Sequence, residues 1–307
     1  FETKAIFSDQ FSQLQADSKK FGTQGDSIDY ALLLDGLSVE QQQGITIDVA
    51  YRFFSTEKRK FIVADTPGHE QYTRNMATGA STADAAVILI DARKGILAQT
   101  KRHSYICHLF GIKHIIVAIN KMDLVNYEKL KFQAIAEDYK LFAESIGIVD
   151  LRFIPICGIY GDNIVSVSEN MKWYKGPSLL KFLEDINLED SATLSQPFRM
   201  PVQLVNRPNS DFRGVSGKSI SGYISKNDKI SVFPSGKKTK VKEIICPNGS
   251  VEKSRPLQSL TLTFEDEIDC SRGNIISAAK SPLEISDQFD ATIVWMHETS
   301  LIPGRAY

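Results

Sequence analysis

DTPGHE at residues 65–70 and NKMD at residues 120–123 are the two stretches that decide the fold of this chain. Each follows an apolar run that is typical of a buried strand, Phe61–Ala64 in the first case and Ile115–Ile119 in the second. Ligands bind beyond the carboxyl ends of the strands in open α/β sheets, so both stretches are placed to contact one ligand. In this order they predict a guanine-nucleotide site on an α/β domain with a parallel sheet.

The first stretch carries the residue types that phosphate chemistry requires. Asp65, at the end of a strand, can hold a Mg²⁺ ion through water, and that ion bridges the β- and γ-phosphates. Gly68 has no side chain, so its N–H can approach the γ-phosphate closely. His69 is placed to orient the attacking water. The alternative interpretation is an ordinary strand-to-helix turn with a solvated histidine.

The second stretch carries the residue types that read a guanine base. The Asp123 carboxylate can accept hydrogen bonds from the N1–H and the 2-amino group of guanine, a pair of donors that adenine lacks. Lys121 would lay its aliphatic stem along the base, and Asn120 would join the neighbouring loops. Taken alone, NKMD could also be a polar loop after a strand.

A third element is QGITI at residues 43–47. Thr46 can give its hydroxyl to Mg²⁺ and order its loop only when a γ-phosphate is present, although the segment could also be an edge strand. The glycine-rich phosphate loop of nucleotide hydrolases is not found before Asp65, and we expect it to lie before residue 1. GKS at 217–219 lacks the required glycine, since residue 212 is Phe, and we predict that it is β-barrel surface.

The composition is that of an ordinary globular protein, with 42% hydrophobic and 24% charged residues among 307. A net charge of −1 disfavours nucleic acid or an anionic membrane as partner. The sequence has neither an apolar run of about 18 residues, as a bilayer span requires, nor a signal-peptide pattern. The four cysteines, Cys107, Cys157, Cys246 and Cys270, show no C-x-x-C spacing. This favours a reducing cytoplasm over a disulfide framework or a zinc module.

Three domains are predicted along the chain. Residues 1–190 alternate strands with helices as a GTPase domain, residues 191–282 form a β-barrel, and residues 283–307 begin a second β-barrel. The first domain is predicted to contain further strands at Ala85–Ile90 and Arg152–Ile156, and helices at Thr100–Phe110, Lys129–Ile146 and Leu179–Ile186. Beyond it, strands are predicted at Ser219–Ile224, Lys229–Phe233, Lys238–Ile245, Ser259–Phe264 and Asp290–Met296.

Several segments together resemble the GTPase (large) subunit of bacterial sulfate adenylyltransferase, within the elongation-factor-Tu-like translational GTPase superfamily. They are GITIDVAYR at 44–52, residues 65–81, VNRPN at 205–209, DFRG at 211–214 and EDEID at 265–269. The run from 68 to 81 and the NRPN segment at 206–209 distinguish this family from the translation factors.

The resemblance implies a GTPase domain followed by two β-barrels, with GTP and Mg²⁺ as cofactors. It implies a small catalytic subunit as partner, which adenylates sulfate with ATP to give adenosine 5′-phosphosulfate and pyrophosphate. That reaction is uphill, and hydrolysis of GTP in the large subunit drives it. Neither nucleic acid nor a membrane is expected as a partner.

The family pattern also identifies a third base-contacting loop, Cys157-Gly158-Ile159, whose backbone N–H groups would meet the guanine carbonyl oxygen. The family usually has Ser-Ala here, so the serine hydroxyl that braces the loop is expected to be lost. A second departure is EQQQ at 40–43, where the family usually has Glu-Arg-Glu-Gln.

Two alternatives share these motifs. One is an elongation-factor-type GTPase that binds tRNA, against which the family-specific segments argue. The other is a scaffold subunit of the sulfate enzyme that binds its partner without hydrolysing GTP.

Overall fold

The computed structural model describes Leu14, Ser18, Glu40 and residues 45–188, 195–209, 212–247, 249–297 and 299–307. The chain divides into two compact units. The first comprises Phe1–Ile186 together with Ile293–Tyr307, and the second comprises Asn187–Thr292. The domain limits at 190 and 282 stay predictions.

Within the described part of the first unit, five strands form two sheets. β1 (Ala50–Ser55) and β2 (Lys60–Asp65) are an antiparallel pair. A parallel sheet has the order β3 (Ala85–Asp91), β4 (His114–Asn120) and β5 (Leu151–Pro155). The predicted α/β architecture with a parallel sheet is therefore confirmed.

The strand at Phe61–Ala64 exists as β2, but its pairing differs from the prediction. Among the described strands β2 bonds to β1 and not to the parallel sheet. The antiparallel pairing with β1 follows from the short turn between the two strands, in which the N–H of Thr56 donates to the carbonyl of Arg59 at 2.9 Å. A connection this short permits only antiparallel pairing, whereas parallel strands need a long crossover.

Four helices among the described residues flank these sheets. They are α1 (Thr73–Ala80), α2 (Ala98–Leu109), α3 (Lys129–Ser145) and α4 (Leu179–Asp185). Successive side chains of β4 point to opposite faces of the parallel sheet, and helices cover both faces. Ile115 and Val117 pack in one apolar cluster with α1, α2 and α3, while Ile116 and Ala118 pack with α4. Burial of each large alkyl side chain contributes roughly 1.5–3 kcal/mol relative to exposure, so β4 anchors the unit.

The second unit is an antiparallel sheet that closes into a barrel. Its strands are β6 (Arg199–Pro201), β7 (Leu204–Asn206), β8 (Gly214–Lys218), β9 (Lys229–Phe233), β10 (Lys237–Cys246), β11 (Gly249–Val251), β12 (Ser259–Phe264) and β13 (Ile275–Ala278). The strand order is β6, β13, β9, β10, β12, β8, β7, and β11 pairs with β10. Closure comes from Arg199, whose N–H donates to the carbonyl of Ser221 at 3.2 Å and whose carbonyl accepts from the N–H of Ile220 at 2.9 Å. The interior holds fully buried side chains such as Val232, Ile244 and Leu262.

Two predicted strands are wrong. Residues 219–224 form a bend with one isolated bridge, because Gly222 has φ of +63° and breaks the extended backbone. Residues 290–296 form no strand and pair with no described strand. That a second barrel begins at 283 stays a prediction.

The GKS segment at 217–219 starts within β8 and is not a phosphate loop, as predicted. Gly217 is required there for packing, because a Cβ at this position would lie 2.2 Å from the carbonyl oxygen of Pro201. None of the described helices has the length and apolar character needed to span a bilayer.

Candidate functional site

The loops that follow β4 and β5 are joined by one side chain. Asn120 ends β4, and its Oδ1 accepts hydrogen bonds from the N–H of Lys121 at 2.7 Å and from the N–H of Gly158 at 3.0 Å. The structure therefore places Asn120 where the sequence predicted a link between loops. Gly158 and Ile159 are both exposed at the surface of this pair of loops.

Asp123 lies beside Cys157 in the same pair of loops. The Cys157 thiol, with 1% of its surface exposed, donates to Asp123 Oδ1 at 3.0 Å. Burial, together with the neighbouring Asp123 carboxylate, raises the pKa of Cys157 to about 11, so the thiol keeps its proton and stays a donor. The expected loss concerns the serine hydroxyl alone, because the Cys157 thiol still donates to Asp123 in this loop.

Asp162 fixes the rest of the third loop. Its Oδ2 accepts from the Tyr127 hydroxyl at 3.1 Å, and its Oδ1 accepts from Ser168 Oγ and from Asn170 Nδ2. Its carbonyl also accepts from the N–H of Cys157 at 3.1 Å. These bonds join the turn after β4 to the loop after β5, so the two loops are held as one body.

The turn that carries Asp123 is bracketed by left-handed residues. Lys121, Asn126 and Tyr127 have φ of +62°, +52° and +55°, on either side of the 3₁₀ turn Met122–Val125. Met122 is fully buried and anchors the turn in the core.

Lys121 has a carboxylate partner at the end of β3. Its Nζ lies 3.3 Å from Asp91 Oδ2, and Arg93 Nη2 lies 2.6 Å from the same oxygen. The hydrogen bond from Arg93, with help from Lys121, holds the pKa of Asp91 well below its usual range. Asp91 is therefore a fixed negative charge that positions the Lys121 ammonium.

Asp65 ends β2 in a half-buried position and faces a like charge. Burial raises the pKa of Asp65 above its usual value, and repulsion from the Glu40 carboxylate raises it further. Glu40 Oε1 accepts from the N–H groups of Ile47 and Asp48 at 2.8 and 3.0 Å. Asn75 of α1 donates from Nδ2 to the Ile47 carbonyl at 2.7 Å. These hydrogen bonds fix the backbone of residues 47 and 48, which follow Thr46 directly.

The donor set at Thr46 and Asp65 fits a magnesium ion. A hydroxyl and a carboxylate are hard oxygen ligands of the kind that Mg²⁺ prefers. The raised pKa of Asp65, next to the negative charge of Glu40, shows a carboxylate whose ionisation a divalent cation would favour. The described residues contain no group of three or more His, Cys, Asp or Glu that could hold a metal by themselves. An ion here would therefore need phosphate oxygens or water as well.

Gly68 and His69 lie on an exposed turn after β2. A Cβ at Gly68 would meet no atom within 4 Å, so the protein itself does not require glycine at this position. His69 Nδ1 accepts from the N–H of Gln71 at 3.5 Å. With Nδ1 as acceptor, Nε2 carries the proton of the neutral ring and can donate to a water or a phosphate oxygen.

The structure thus brings Asn120, Asp123, Cys157 and Gly158 together in the base-contacting loops. It also places Asp65 near Glu40, which binds the backbone next to Thr46. Residues 41–44, which include Gly44 and the two departures Gln41 and Gln42, lie outside the described residues.

Sequence reasoning missed Asn75, Asp91, Tyr127 and Asp162. Asp91 could have been found, because it ends a predicted strand just as Asp65 and Asn120 do. The others act through contacts distant in sequence, which no local pattern reveals.

Comparison with known proteins gives a consistent result. Residues 5–188 match the family model of the elongation factor Tu GTP binding domain. Sulfate adenylyltransferase subunit 1 of Colwellia psychrerythraea is 56% identical over 307 residues, which are 100% of this chain and 66% of that protein. Bifunctional enzyme NodQ of Rhizobium sp. (strain N33) is 53% identical over 306 residues, which are 100% of this chain and 47% of that protein. The chain spans about half to two thirds of the length of these curated relatives.

A solved structure supports the fold alone. The GTPase-like domain of Ski7 from S. cerevisiae, bound to GTP, superimposes with a TM-score of 0.51 and 21% identity. The match covers 89% of this chain and 69% of that chain.

Proposed function

The chain belongs to the family of the elongation factor Tu GTP binding domain, and from that premise we propose that it is the GTP-hydrolysing subunit of a sulfate adenylyltransferase. It would couple GTP hydrolysis to the formation of adenosine 5′-phosphosulfate from ATP and sulfate on a partner catalytic subunit. The names of the relatives support this reaction. The observation that carries GTP recognition is the hydrogen bond between Cys157 and Asp123, which fixes the carboxylate beside the loop that Asn120 ties down.

Guanine recognition would use the carboxylate that this bond orients. Cys157 occupies Oδ1 of Asp123, and Oδ2 accepts no hydrogen bond from the described residues. This oxygen is available to the N1–H and 2-amino donors of guanine, and adenine would leave it unpaired. Lys121, held at its Nζ by Asp91, would lay its stem against the base plane.

Hydrolysis would use the second group of residues. Thr46 and Asp65 would hold Mg²⁺, which when bound neutralises charge on the β- and γ-phosphates. The exposed N–H of Gly68 would donate to the γ-phosphate, and His69 would orient the attacking water from Nε2. Nδ1 of His69 accepts from the N–H of Gln71, which leaves Nε2 for the water.

The segment around Thr46 would report the nucleotide state to the partner. Three hydrogen bonds hold its backbone, two to Glu40 and one from Asn75, and a γ-phosphate would add a further restraint through Thr46. All four cysteines are free and buried, which supports a reducing cytoplasm as the location.

The test is GTP turnover by the full-length protein mixed with the small subunit that adenylates sulfate. Turnover is measured under four conditions: without ATP or sulfate, with ATP alone, with sulfate alone, and with both. We expect the rate to rise only when both are present, because only then is there an uphill reaction to drive. Absent turnover in an intact complex would identify a scaffold, and turnover that responds to tRNA instead would identify an elongation-factor role.

A further inference from the structure

A groove of about 370 Å³ opens in the first unit between the start of α3, the strand β5 and the loop Trp173–Gly176. None of the residues that line it belongs to the site described above. The lining consists of aromatic, cationic and small residues: Lys129, Phe132, Gln133, Arg152, Phe153, Trp173, Tyr174, Lys175 and Gly176. The proposed GTP chemistry leaves this groove without a role.

The floor of the groove is a fixed aromatic surface. The Phe132 ring lies 5.3 Å from Trp173 and 6.4 Å from Tyr174, measured between centroids. The indole N–H of Trp173 donates to the carbonyl of Tyr127 at 2.9 Å, and the hydroxyl of Tyr174 donates to the carbonyl of Pro177 at 3.1 Å. Because the protein already satisfies these polar groups, the rings are preformed for contact with an apolar side chain.

The rim of the groove carries positive charge and no carboxylate. Lys129, Arg152 and Lys175 are all exposed. Lys129 and Lys175 form no ion pair within the described ranges, and the Arg152 guanidinium lies over the Phe182 ring at 5.2 Å. Three like charges around one groove repel each other, and an anionic occupant would relieve that repulsion.

One wall of the groove is an open strand edge. The N–H of Ile115 donates to the carbonyl of Asp150 and the N–H of Ile156 donates to the carbonyl of Ile119, so the even-numbered residues of β5 face β4. Successive residues of a parallel strand face opposite neighbours, and the N–H and C=O of Phe153 therefore point away from β4. β4 is the one partner of β5 among the described strands.

We propose that this groove binds an extended acidic segment of a partner polypeptide, which pairs with the free edge of β5. Its carboxylates would meet Lys129, Arg152 and Lys175, and one apolar side chain would cover the aromatic floor. A peptide fits better than a phosphate ligand because the edge presents a carbonyl as well as an N–H, and a carbonyl repels a phosphate oxygen. The inference does not depend on the proposed GTPase function.

The groove contains its own reporter. The sequence has two tryptophans, so Trp295→Phe leaves the fluorescence of Trp173 alone. The 307-residue chain carrying Trp295→Phe is titrated with a synthetic peptide of about ten residues that alternates glutamate with valine, the period of a strand. We expect a saturable change in fluorescence that weakens as salt is added.

The decisive variant is Lys129→Glu/Lys175→Glu. Lys129 opens α3, where glutamate suits the helix dipole, and Lys175 is exposed, so the fold should tolerate both changes. We expect peptide binding to weaken about tenfold or more. The matched control is Lys238→Glu/Lys242→Glu, which makes the same charge change at exposed lysines of β10 and should leave binding unchanged.

Three results would overturn the proposal. They are no saturable response to the peptide, equal binding by the Lys129→Glu/Lys175→Glu and control variants, or an equal response to inorganic triphosphate or to single-stranded DNA. The last result would assign the groove to a phosphate ligand. GTP binding by the same variants is measured alongside, so that a failure of the proposed function remains separate.

Discussion

The two halves of the candidate site are built in opposite ways. The base-contacting half is cross-braced, since Asn120, Asp123 and Asp162 each accept hydrogen bonds that join the two loops. The phosphate half is open, with Gly68 and His69 exposed on a turn and one 3.5 Å hydrogen bond to the His69 ring.

This difference indicates that the two halves have different roles in nucleotide binding and in hydrolysis. A carboxylate that discriminates between bases must be held in place before binding, because discrimination comes from the cost of leaving it unpaired. Groups that act on the γ-phosphate need their final geometry only in the transition state. The braced half should therefore control which nucleotide binds, and the open half should control how fast it reacts.

The largest expected effect is at Asp123. Asp123→Asn replaces an acceptor with a donor opposite the N1–H of guanine, so we expect the preference for GTP over xanthosine triphosphate to reverse by roughly 10⁴-fold. Competitive binding of the two nucleotides to the full-length protein measures this ratio. Asp138→Asn, on the exposed side of α3, is the control and should keep the original preference. An unchanged preference in Asp123→Asn would remove Asp123 from base recognition.

His69 tests the open half. His69→Ala should lower the maximal rate of GTP turnover by roughly 10²-fold with little loss of GTP affinity, because the ring acts on the transition state. Single-turnover kinetics and nucleotide binding give the two quantities separately. His297→Ala is a close control, since His297 Nδ1 also accepts a backbone N–H, from Thr299 at 3.0 Å. If affinity and rate fall together, His69 is a structural cap and the comparison fails.

Cys157 tests the brace itself. Cys157→Ala removes the donor to Asp123, and we expect GTP affinity to fall about tenfold, since a bond to a charged acceptor is lost. Cys157→Ser restores a donor and should bind GTP at least as well as the native protein. Titration with a fluorescent GTP analogue compares the three proteins. Equal affinity in Cys157→Ala would show that Asp123 is positioned without the thiol.

The smallest expected effect concerns stability at Asp65. The pKa of Asp65 is higher in the folded protein than in the unfolded chain, so the unfolded chain loses this proton first as pH rises. The free energy of unfolding therefore falls as pH rises from the unfolded-state pKa through the raised folded-state pKa. Without nucleotide and Mg²⁺, Asp65→Asn should therefore melt roughly 2 °C above the native protein at neutral pH. The difference should vanish below about pH 4, where both proteins are neutral at this position. Thermal melts across this range check the sign, and a lower melting temperature at neutral pH would contradict it.

Sequence reasoning succeeded where information is local. The strands β9 and β12 have the predicted bounds, because their alternating patterns are closed by turn residues. The family resemblance is also confirmed by relatives named sulfate adenylyltransferase subunit 1 at 53–56% identity over the whole chain. Strand 219–224 failed because Gly222 adopts a conformation that the pattern of neighbouring residues does not reveal.

The site divides in the same way. Asp65, Asn120 and Asp123 are found from their position at strand ends, which the apolar runs reveal. Asn75 and Asp162 could not be found, because their roles come from contacts with Ile47 and with Tyr127, 28 and 35 residues away in sequence. The cysteine at position 157 is a departure visible in the sequence, but only its distance to Asp123 shows that the thiol braces that carboxylate.

The three left-handed residues around the Asp123 turn set how freely this loop can vary. A non-glycine residue costs roughly 1 kcal/mol in that conformation, and asparagine tolerates it best. Asn126 should therefore accept glycine or aspartate. Tyr127 has an unfavourable left-handed backbone conformation, and the hydrogen bond from its hydroxyl to Asp162 offsets that cost. At Lys121 glycine would relax the backbone but remove the ammonium that pairs with Asp91. Random libraries at these positions should thus recover asparagine, glycine and aspartate at 126, few residues at 127 and almost solely lysine at 121.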